Sequence, residues 1–294
     1  MHYNGPIIRP PHEAYSLMLE TTVGCTHNKC RFCTFYKDAP FRMAPLSQVE
    51  ADLQEVSAQE PNLKHLWFSG GNPMTLDMKH LEALIALTHR YLPQASISMY
   101  ARVDSTFKKS VADLKRLKSL GVDDIVIGIE SGYDPALKAM NKGYTAAELL
   151  RECKKYEEAG MTYRVIYLAG IAGHEHWRGN AEATAAVLNE LHPSFMYLTS
   201  LSIQSDSLLY QDIQAGRFMP ETEFDMVQEF YHLVKNLKNP IHIDARAGYN
   251  PVHFYVSLPE NKKVLLDEMK DFIDGYDNTV EQQLQSHRAS YATL

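Results

Sequence analysis

Three of the four cysteines in this chain lie within nine residues, in the run Cys25-x-x-x-x-Cys30-x-x-Cys33. Three thiolates on one short loop can bind three irons of a 4Fe–4S cluster. No further cysteine lies nearby in the sequence, so the fourth iron would be open to another ligand. An open iron allows chemistry beyond electron storage. The cysteine loop is therefore the first candidate for a reactive centre.

Zinc is the main alternative for this loop, because His27 could join the three cysteines in a Cys₃His site. Structural zinc sites usually consist of two paired knuckles, whereas the chain has one, so iron is favoured and His27 is interpreted as a solvent-facing loop residue. The fourth cysteine, Cys153, lies in an amphipathic helical stretch and is expected to be buried. A disulfide framework is disfavoured in a long chain with clustered cysteines.

The composition is that of an ordinary globular protein. The chain has 294 residues, of which 45% are apolar and 22% are charged, and this length allows one domain of α/β-barrel size. The net charge of −7 disfavours nucleic acid as a partner. The beginning of the chain lacks the apolar core of a signal peptide, and no apolar run is long enough to span a membrane. We therefore expect a cytoplasmic protein without a membrane partner. The reducing cytoplasm also suits an oxygen-sensitive cluster, which requires anaerobic conditions.

Short β-like runs alternate with amphipathic helical stretches along the chain. Six βα units in series imply parallel strands with right-handed crossovers, in an open barrel or a doubly wound sheet. The similar spacing of the units favours the α/β class and a partial (β/α)6 TIM-like barrel. The predicted strands are 16–20, 65–69, 96–103, 124–130, 164–169 and 194–199, and the predicted helices are 46–59, 76–92, 106–119, 145–159 and 179–191. Two of these helices begin with capping-box patterns, Ser47-x-x-Glu50 and Thr145-x-x-Glu148.

Three regions are predicted from this pattern: a lead-in at 1–13, a core barrel at 14–238 and a C-terminal extension at 239–294. Helices are expected near 221–237 and 260–276. The segment 239–260 is polar and aromatic with little regular pattern, so it either closes the open side of the barrel or is an ordinary surface connection. From Gln282 onward the sequence is polar and is expected to lack regular structure.

Unusual residues follow several of the predicted strands. Ligands of parallel α/β folds bind at the carboxyl ends of the strands. Taken alone, each of these features has an ordinary explanation as a turn or a cap, but their shared position favours a ligand site. They are the cysteine loop after the first strand, Gly70, Gly71 and Asn72 after the second, Glu130 and Ser131 after the fourth, Gly170 after the fifth and Ile203 after the sixth.

On these residues, the chain from about 14 to 210 resembles radical S-adenosylmethionine (SAM) enzymes. The Gly-Ile-Glu-Ser-Gly segment at 128–132 resembles the Elp3/MiaB/NifB-like branch, in a compact form without a cobalamin or second-cluster domain. Supporting features are Phe32 before the last loop cysteine, Gly70-Gly71, Asn141-Lys-Gly143 and Gly170-x-x-Gly173. Two features depart from the family pattern: the cysteine spacing is one residue longer than the usual CxxxCxxC, and Asn72 stands where many members carry Glu.

The resemblance implies a specific chemistry. Cys25, Cys30 and Cys33 would ligate one 4Fe–4S cluster, and SAM would chelate the open iron. One-electron reduction would cleave SAM to a 5′-deoxyadenosyl radical, which abstracts hydrogen from a small or medium-sized substrate. An external one-electron donor such as flavodoxin or ferredoxin is implied as a partner. The implied SAM contacts are Gly70, Gly71, Asn72, Glu130, Ser131, Gly170 and Ile203.

The third predicted strand supplies two further candidates, which share one face at period two. If that face points into the barrel, Arg102 could meet the SAM carboxylate and Tyr100 the substrate; if it points outward, they only cover the barrel. The segment His174-Glu-His176 lacks the spacing of a helical zinc site, and it is either a substrate contact or a solvated turn.

Three classes of function stay open at this point. The first is an oxidoreductase or transferase that abstracts hydrogen, and the second is a relative that cleaves a different carbon–sulfur bond of SAM and transfers an aminocarboxypropyl group. The third is a zinc-loop α/β protein. The sequence does not distinguish among substrates or reaction subclasses.

Overall fold

The computed structural model describes residues 1–291 of the chain, which divide into two compact units. The first unit comprises residues 1–28, 35–128 and 152–163, and the second comprises 29–34, 129–151 and the chain from 164 onward. The predicted lead-in at 1–13 belongs to the first unit, and the predicted C-terminal extension belongs to the second.

Within residues 1–291 the main sheet has eight strands and is mostly parallel, and a separate ribbon pairs β2 with β3. The α/β fold class predicted from the sequence is confirmed. The strands are β1 (Leu17–Glu20), β2 (Thr22–Val23), β3 (Arg42–Met43), β4 (His65–Ser69), β5 (Ser96–Ala101), β6 (Val122–Glu130), β7 (Thr162–Ala169), β8 (Phe195–Ser200), β9 (Ile241–Asp244) and β10 (Tyr255–Leu258). The helices are α1 (Leu46–Gln59), α2 (Met78–Tyr91), α3 (Val111–Ser119), α4 (Asp134–Ala139), α5 (Ala146–Ala159), α6 (Trp177–Leu188), α7 (Leu208–Gln214), α8 (Glu223–Asn236), α9 (Lys262–Asp274) and α10 (Asn278–Tyr291).

In the first unit, β1, β4, β5 and β6 pair in parallel in that order. The register aligns Leu19, Phe68, Met99 and Ile125 in one row across the four strands, and these four side chains are fully buried. The adjacent row on the opposite face includes Trp67 and is also buried. The four strands are therefore buried on both faces, as is usual for parallel sheets, although the second row also contains the polar residues Ser98 and Asp124.

In the second unit, β7, β8 and β9 pair in parallel, and β10 is antiparallel to β9. Helix α6 packs against α8, and α8 packs against α9. Asn250 is buried beside this sheet and joins it to the following loop, because its side chain bonds to the Ser200 N–H at 2.9 Å and to the Ala245 carbonyl at 2.8 Å.

Helix starts differ from the predictions in two places. The predicted helix at 106–119 begins only at Val111, because Ser110 and Asp113 form a capping box after a 3₁₀ turn at Val103–Thr106. The capping box at Thr145 and Glu148 is confirmed by reciprocal side-chain hydrogen bonds to backbone N–H groups. The one predicted at Ser47 is wrong, because α1 already begins at Leu46, directly after Pro45, and Ser47 is its second residue.

The C-terminal extension is more regular than the sequence suggests. The segment 239–260 contains β9 and β10, which extend the sheet, while its proposed role in closing a barrel stays a prediction. The expectation that the chain from Gln282 lacks regular structure is wrong, because it belongs to α10. Tertiary contacts hold this polar helix: Glu281 accepts the N–H groups of Glu223 and Phe224, each at 3.1 Å, and Arg288 pairs with Glu223. Residues 292–294 of the extension lie outside the described part.

No helix among the described residues has both the length and the apolar character that crossing a lipid bilayer requires.

Candidate functional site

The cysteine loop of the first unit begins immediately after β2 and lies against the end of β4. The Gly24 carbonyl accepts the Gly71 N–H at 2.9 Å. A Cβ atom at Gly71 would lie 2.6 Å from the Gly24 oxygen and 2.8 Å from Cβ of Cys25, and one at Gly70 would lie 1.9 Å from the Thr22 hydroxyl. Both glycines are therefore required for the start of the cysteine loop to approach β4. Their contact with SAM stays a prediction.

Asn72 holds the same loop through its side chain. It is fully buried, its Nδ2 donates to the Thr26 hydroxyl at 2.7 Å, and its Oδ1 accepts the Thr26 N–H at 3.2 Å. Thr26 follows Cys25 directly, so these two bonds fix the backbone between the first and second loop cysteines. The amide group that the sequence assigns to SAM is thus occupied by the cysteine loop in this structure, and its contact with SAM stays a prediction.

Tyr100 and Arg102 lie at the end of β5. The ring of Tyr100 is edge-on to Trp67, with 5.0 Å between the ring centroids. The Arg102 side chain is buried and forms a bidentate pair with Asp104, from Nε to Oδ1 at 2.9 Å and from Nη2 to Oδ2 at 3.0 Å. Ser98 on the same face is 1% exposed, so this face is covered rather than solvated. The predicted roles of Tyr100 and Arg102 stay untested.

In the second unit, residues 29–34 carry the two later loop cysteines between α4 and α7. The Arg31 N–H donates to the Met140 carbonyl at 3.1 Å, and the Leu209 N–H donates to the Arg31 carbonyl at 2.8 Å. The Arg31 side chain forms an ion pair with Asp212, and this pair lowers the pKa of Asp212. The backbone of this part of the loop is therefore held by two main-chain bonds, and Asn141 adds a side-chain bond from its Nδ2 to the Lys29 carbonyl at 3.0 Å.

Glu130 ends β6 in the left-handed backbone region, with φ 58°. For a residue with a Cβ atom this conformation costs roughly 1–2 kcal/mol. Its Oε1 accepts from Lys142 Nζ at 3.1 Å, and Lys142 is only 3% exposed. The same Nζ lies 5.7 Å from the ring centroid of Phe32, the residue immediately before Cys33. A strained carboxylate, a buried cation and an aromatic ring are thus assembled beside the last loop cysteine.

Lys142 is the functional candidate that sequence reasoning missed. The signal was available in the Asn141-Lys-Gly143 run after the fourth predicted strand, but a lysine in a turn is ordinarily solvated. Only the fold buries this lysine against Glu130.

The remaining predicted SAM contacts also lie in the second unit. Ser131 is fully buried and its hydroxyl donates to Oδ1 of Asn180. Gly170 ends β7 with φ 85°, and its N–H donates to Oε2 of Glu229 at 2.9 Å. Ile203 packs, partly buried, on an apolar cluster that also includes Phe32, Ala136, Met140, Leu168, Ile171, Leu201 and Leu209. Ile203 and the ring of Phe32 therefore share one apolar environment.

The turn after Gly173 places His174 against Asp225. Nδ1 of His174 is hydrogen-bonded to Oδ2 of Asp225, and this bond raises the pKa of His174 above its usual value. The His176 ring lies 6.4 Å from that of Tyr133. A role of these histidines in substrate binding stays a prediction.

The donor set of the loop suits an iron–sulfur cluster. The side chains of Cys25, Cys30 and Cys33 are partly exposed, whereas Cys153 is buried as predicted, and burial raises its pKa. Across residues 1–291, no three or more His, Cys, Asp or Glu side chains are already gathered into a metal-binding group. Residues 25–33 contain three thiols and no carboxylate. Soft thiolate ligands of this kind select iron–sulfur clusters, so the residues present fit a 4Fe–4S group.

A mostly parallel α/β sheet with a three-thiol loop after its first strand defines the class of an iron–sulfur α/β enzyme. The family model described as the radical SAM superfamily matches residues 19–177, which is more than half of the 294-residue chain. The chain belongs to the radical SAM superfamily. Its cofactors are accordingly a 4Fe–4S cluster and SAM, as the sequence predicted, and this membership disfavours the zinc-loop alternative.

Similar proteins agree with this assignment. The chain is 25% identical over 221 residues to the heme chaperone HemW of Bacillus subtilis, covering 71% of this chain and 56% of that protein. The chain thus spans little more than half the length of this relative. Among solved structures, Methanocaldococcus infernus Elp3 has a TM-score of 0.52 at 10% identity, covering 87% of this chain and 63% of that one. Coproporphyrinogen III oxidase (HemN) of Escherichia coli, a radical SAM enzyme, has a TM-score of 0.51 at 15% identity, covering 88% and 52%. At these identities the two structures show a shared fold alone.

Proposed function

We propose that this chain cleaves SAM reductively and directs a 5′-deoxyadenosyl radical to abstract hydrogen from a small or medium-sized substrate. The observation that carries the proposal is the family match over residues 19–177, which includes all three loop thiols. Cys25, Cys30 and Cys33 would hold the cluster. The bound cofactors supply the electron transfer and the radical, and the protein orients and shields them.

Lys142 is the cation we assign to the SAM carboxylate, in place of Arg102. The Arg102 guanidinium already faces the carboxylate of Asp104, whereas the Lys142 ammonium lies beside the Phe32 ring of the cysteine loop. Both cations already have a carboxylate partner, and the position of Lys142 beside the cysteine loop is what favours it. We assign Glu130 to the ribose hydroxyls, since a carboxylate accepts from them and its left-handed backbone fixes its direction.

The other proposed SAM contacts follow from the role that each residue has within its own unit. Gly70 and Gly71 leave backbone groups accessible for the SAM amino group, and Asn72 acts on it indirectly by holding the loop. Gly170 and Ile203 would flank the adenine, because an apolar side chain and a backbone without Cβ suit a flat base. Ser131 would hold this part of the site through its hydrogen bond to Asn180. Tyr100 is kept as the substrate candidate.

The cysteine loop also fits an electron donor of opposite charge. Residues 24–43 contain the basic side chains of Lys29, Arg31, Lys37 and Arg42 against the single acid Asp38, in a chain of net charge −7. The ion pair with Asp212 offsets the charge of Arg31, so three positive charges and one negative leave +2. Opposite charges steer encounter and fix orientation between protein partners. We propose that an acidic one-electron donor such as a flavodoxin or ferredoxin docks here.

The test is anaerobic cluster reconstitution with iron and sulfide, followed by chemical reduction, addition of SAM and identification of the nucleoside released. Cys30→Ala should lose both the cluster and cleavage, whereas the matched control Cys153→Ala, which removes a buried thiol outside the loop, should retain both. Release of 5′-deoxyadenosine supports the proposal. Methylthioadenosine would instead indicate aminocarboxypropyl transfer, and a zinc-containing protein without a cluster would refute the proposal.

A heme-related role is the second candidate, because the curated relative is named a heme chaperone. Anaerobic titration of the reconstituted protein with hemin tests it through the Soret absorption. Stoichiometric hemin binding without SAM cleavage would favour this role over hydrogen abstraction.

A further inference from the structure

Two buried carboxyl groups of the second unit are not used by the proposed chemistry. Glu229 lies on α8 and is fully buried, and Glu221, two residues before that helix, is 6% exposed. Burying a carboxylate without a cation or hydrogen-bond donors is costly, so such groups need a reason for their position. Their surroundings indicate that reason.

Glu229 joins the end of β7 to two helices. Its Oε2 accepts the N–H of Gly170 at 2.9 Å, and its Oε1 accepts from Nδ2 of Asn180 on α6 at 2.6 Å and from the hydroxyl of Tyr167 on β7. Asn180 in turn accepts from the Ser131 hydroxyl. One carboxylate thus holds the left-handed Gly170 turn and is linked to the residue after Glu130.

Glu221 has no such set of donors. Among the described residues neither of its carboxyl oxygens has a hydrogen-bond partner of ordinary geometry, although the Glu229 carboxyl and the Gly173 N–H lie close enough to shift its pKa. Burial, with the neighbouring charge of Glu229, raises the pKa of Glu221 well above its usual value. Burial likewise raises the pKa of Glu229, although its donors oppose the shift. Burial therefore favours the neutral form of Glu221 over the carboxylate.

The charged groups around this pair do not neutralise it. Asp225 adds a further negative charge and is hydrogen-bonded to His174. Glu223, at the start of α8, is paired with Arg288. His174 and Arg288 thus already have carboxylate partners, so a proton is the means of neutralising Glu221 that we consider.

We propose that Glu229 is a positioning residue for the Gly170 turn, and that Glu221, buried beside Glu229, makes the binding of the SAM adenine at this turn depend on pH. This inference rests on the proposed function, which places the adenine at Gly170. When Glu221 loses its proton to solvent, a second negative charge appears beside Glu229 and the turn loosens. Because the folded-state pKa of Glu221 is raised, this loss occurs as the pH rises through that value, so SAM affinity falls with rising pH.

Three variants test the proposal. Glu221→Gln cannot ionise, so its SAM dissociation constant should stay constant where the wild-type value increases with pH. Glu229→Gln has only one acceptor oxygen, so either Gly170 or Asn180 loses its bond. Its SAM dissociation constant should increase about tenfold, the equivalent of about 1.4 kcal/mol, with little change in the cleavage rate at saturating SAM.

The matched control is Asn189→Ala. Asn189 joins the same two helices near their other ends, through the Asn236 carbonyl at 2.9 Å and the Lys238 N–H at 2.7 Å. It lies nine residues beyond Asn180, about 14 Å along a helix at 1.5 Å per residue. This variant should lower stability without changing SAM affinity or its pH dependence.

SAM binding is measured by anaerobic equilibrium dialysis of the reconstituted protein, and amide exchange of Gly170 is measured on the same protein without SAM. After correction for the intrinsic base-catalysed exchange rate, Gly170 is expected to be less protected in Glu229→Gln, and in the wild type at higher pH. A wild-type SAM dissociation constant that does not change with pH would overturn the inference. A loss of SAM affinity in Asn189→Ala as large as that in Glu229→Gln would also overturn it. If no variant binds SAM while Gly170 exchange responds as expected, the proposed function fails and the positioning role of Glu229 stands.

Discussion

Replacing Asn72 with alanine distinguishes a residue that holds the cysteine loop from one that binds SAM. Asn72 is fully buried and makes two hydrogen bonds, at 2.7 and 3.2 Å, to Thr26 in the loop. If these bonds are its main role, the variant should loosen the loop even in the absence of SAM. If it contacts SAM as its sequence position suggests, the loop should be unaffected and only SAM binding should weaken.

The expected magnitude follows from the two bonds. Each intramolecular hydrogen bond contributes a net of about 0.5–1.5 kcal/mol, and water can solvate the freed groups because Thr26 is exposed. The lower part of this range applies, so the two bonds together contribute about 1–2 kcal/mol to closing the loop. A difference of 1.4 kcal/mol is a factor of ten, so the loop should open roughly 5 to 30 times more often.

Amide exchange of Thr26 is the direct assay, because its N–H is one of the two donors. We expect exchange about 5 to 30 times faster in Asn72→Ala, with less iron bound after reconstitution. Thr26→Val is the matched variant: it removes the hydroxyl bond and keeps the N–H bond, so about half the free-energy effect should remain. Unchanged Thr26 exchange together with weaker SAM binding would refute the reasoning and favour direct contact between Asn72 and SAM.

Two further predictions concern the first unit. Gly71→Ala should lower the free energy of unfolding by about 1–3 kcal/mol and reduce cluster content, because its Cβ would lie 2.8 Å from Cβ of Cys25. The control is Gly275→Ala, whose Cβ meets nothing closer than 3.5 Å. This control should be near neutral in denaturant titration. Equal stability of the two variants would contradict this contact. Burial lowers the pKa of Lys109 from 10.5 to about 8, so the folded state binds this proton less well than the unfolded state, and the unfolding free energy should rise between about pH 8 and 10.5. Denaturation across this range should show the rise in the wild type and a flatter profile in Lys109→Met; parallel profiles would refute it.

The sequence was sufficient for the order and type of the main elements. The helix predicted at 46–59 and the strand predicted at 65–69 match α1 and β4. In both cases the apolar pattern that predicts the element continues through its whole length. The cysteine loop could also be found from the sequence, since three thiols at short spacing have few alternative explanations. These signals are local, so they can be recognised without knowing how the rest of the chain folds.

What the sequence missed depends on partners that are distant along the chain. The polar helix α10 has little apolar pattern of its own, and it is held by contacts of Glu281 and Arg288 with the start of α8. Asn72 looks like a ligand residue at a strand end, but its side chain is occupied by Thr26, 46 residues earlier.

The buried charges illustrate the same division. Whether Lys142 is solvated or buried against Glu130, and whether Glu221 carries a proton, depends on which groups the folded chain brings beside them. Charge, desolvation and hydrogen bonding act through space over a few ångströms, and sequence spacing does not report such distances. The sequence by itself therefore determined the family, the cofactor loop and the βα order. The tertiary structure alone decided which polar side chains hold the loop, which ones face each other and which must stay neutral.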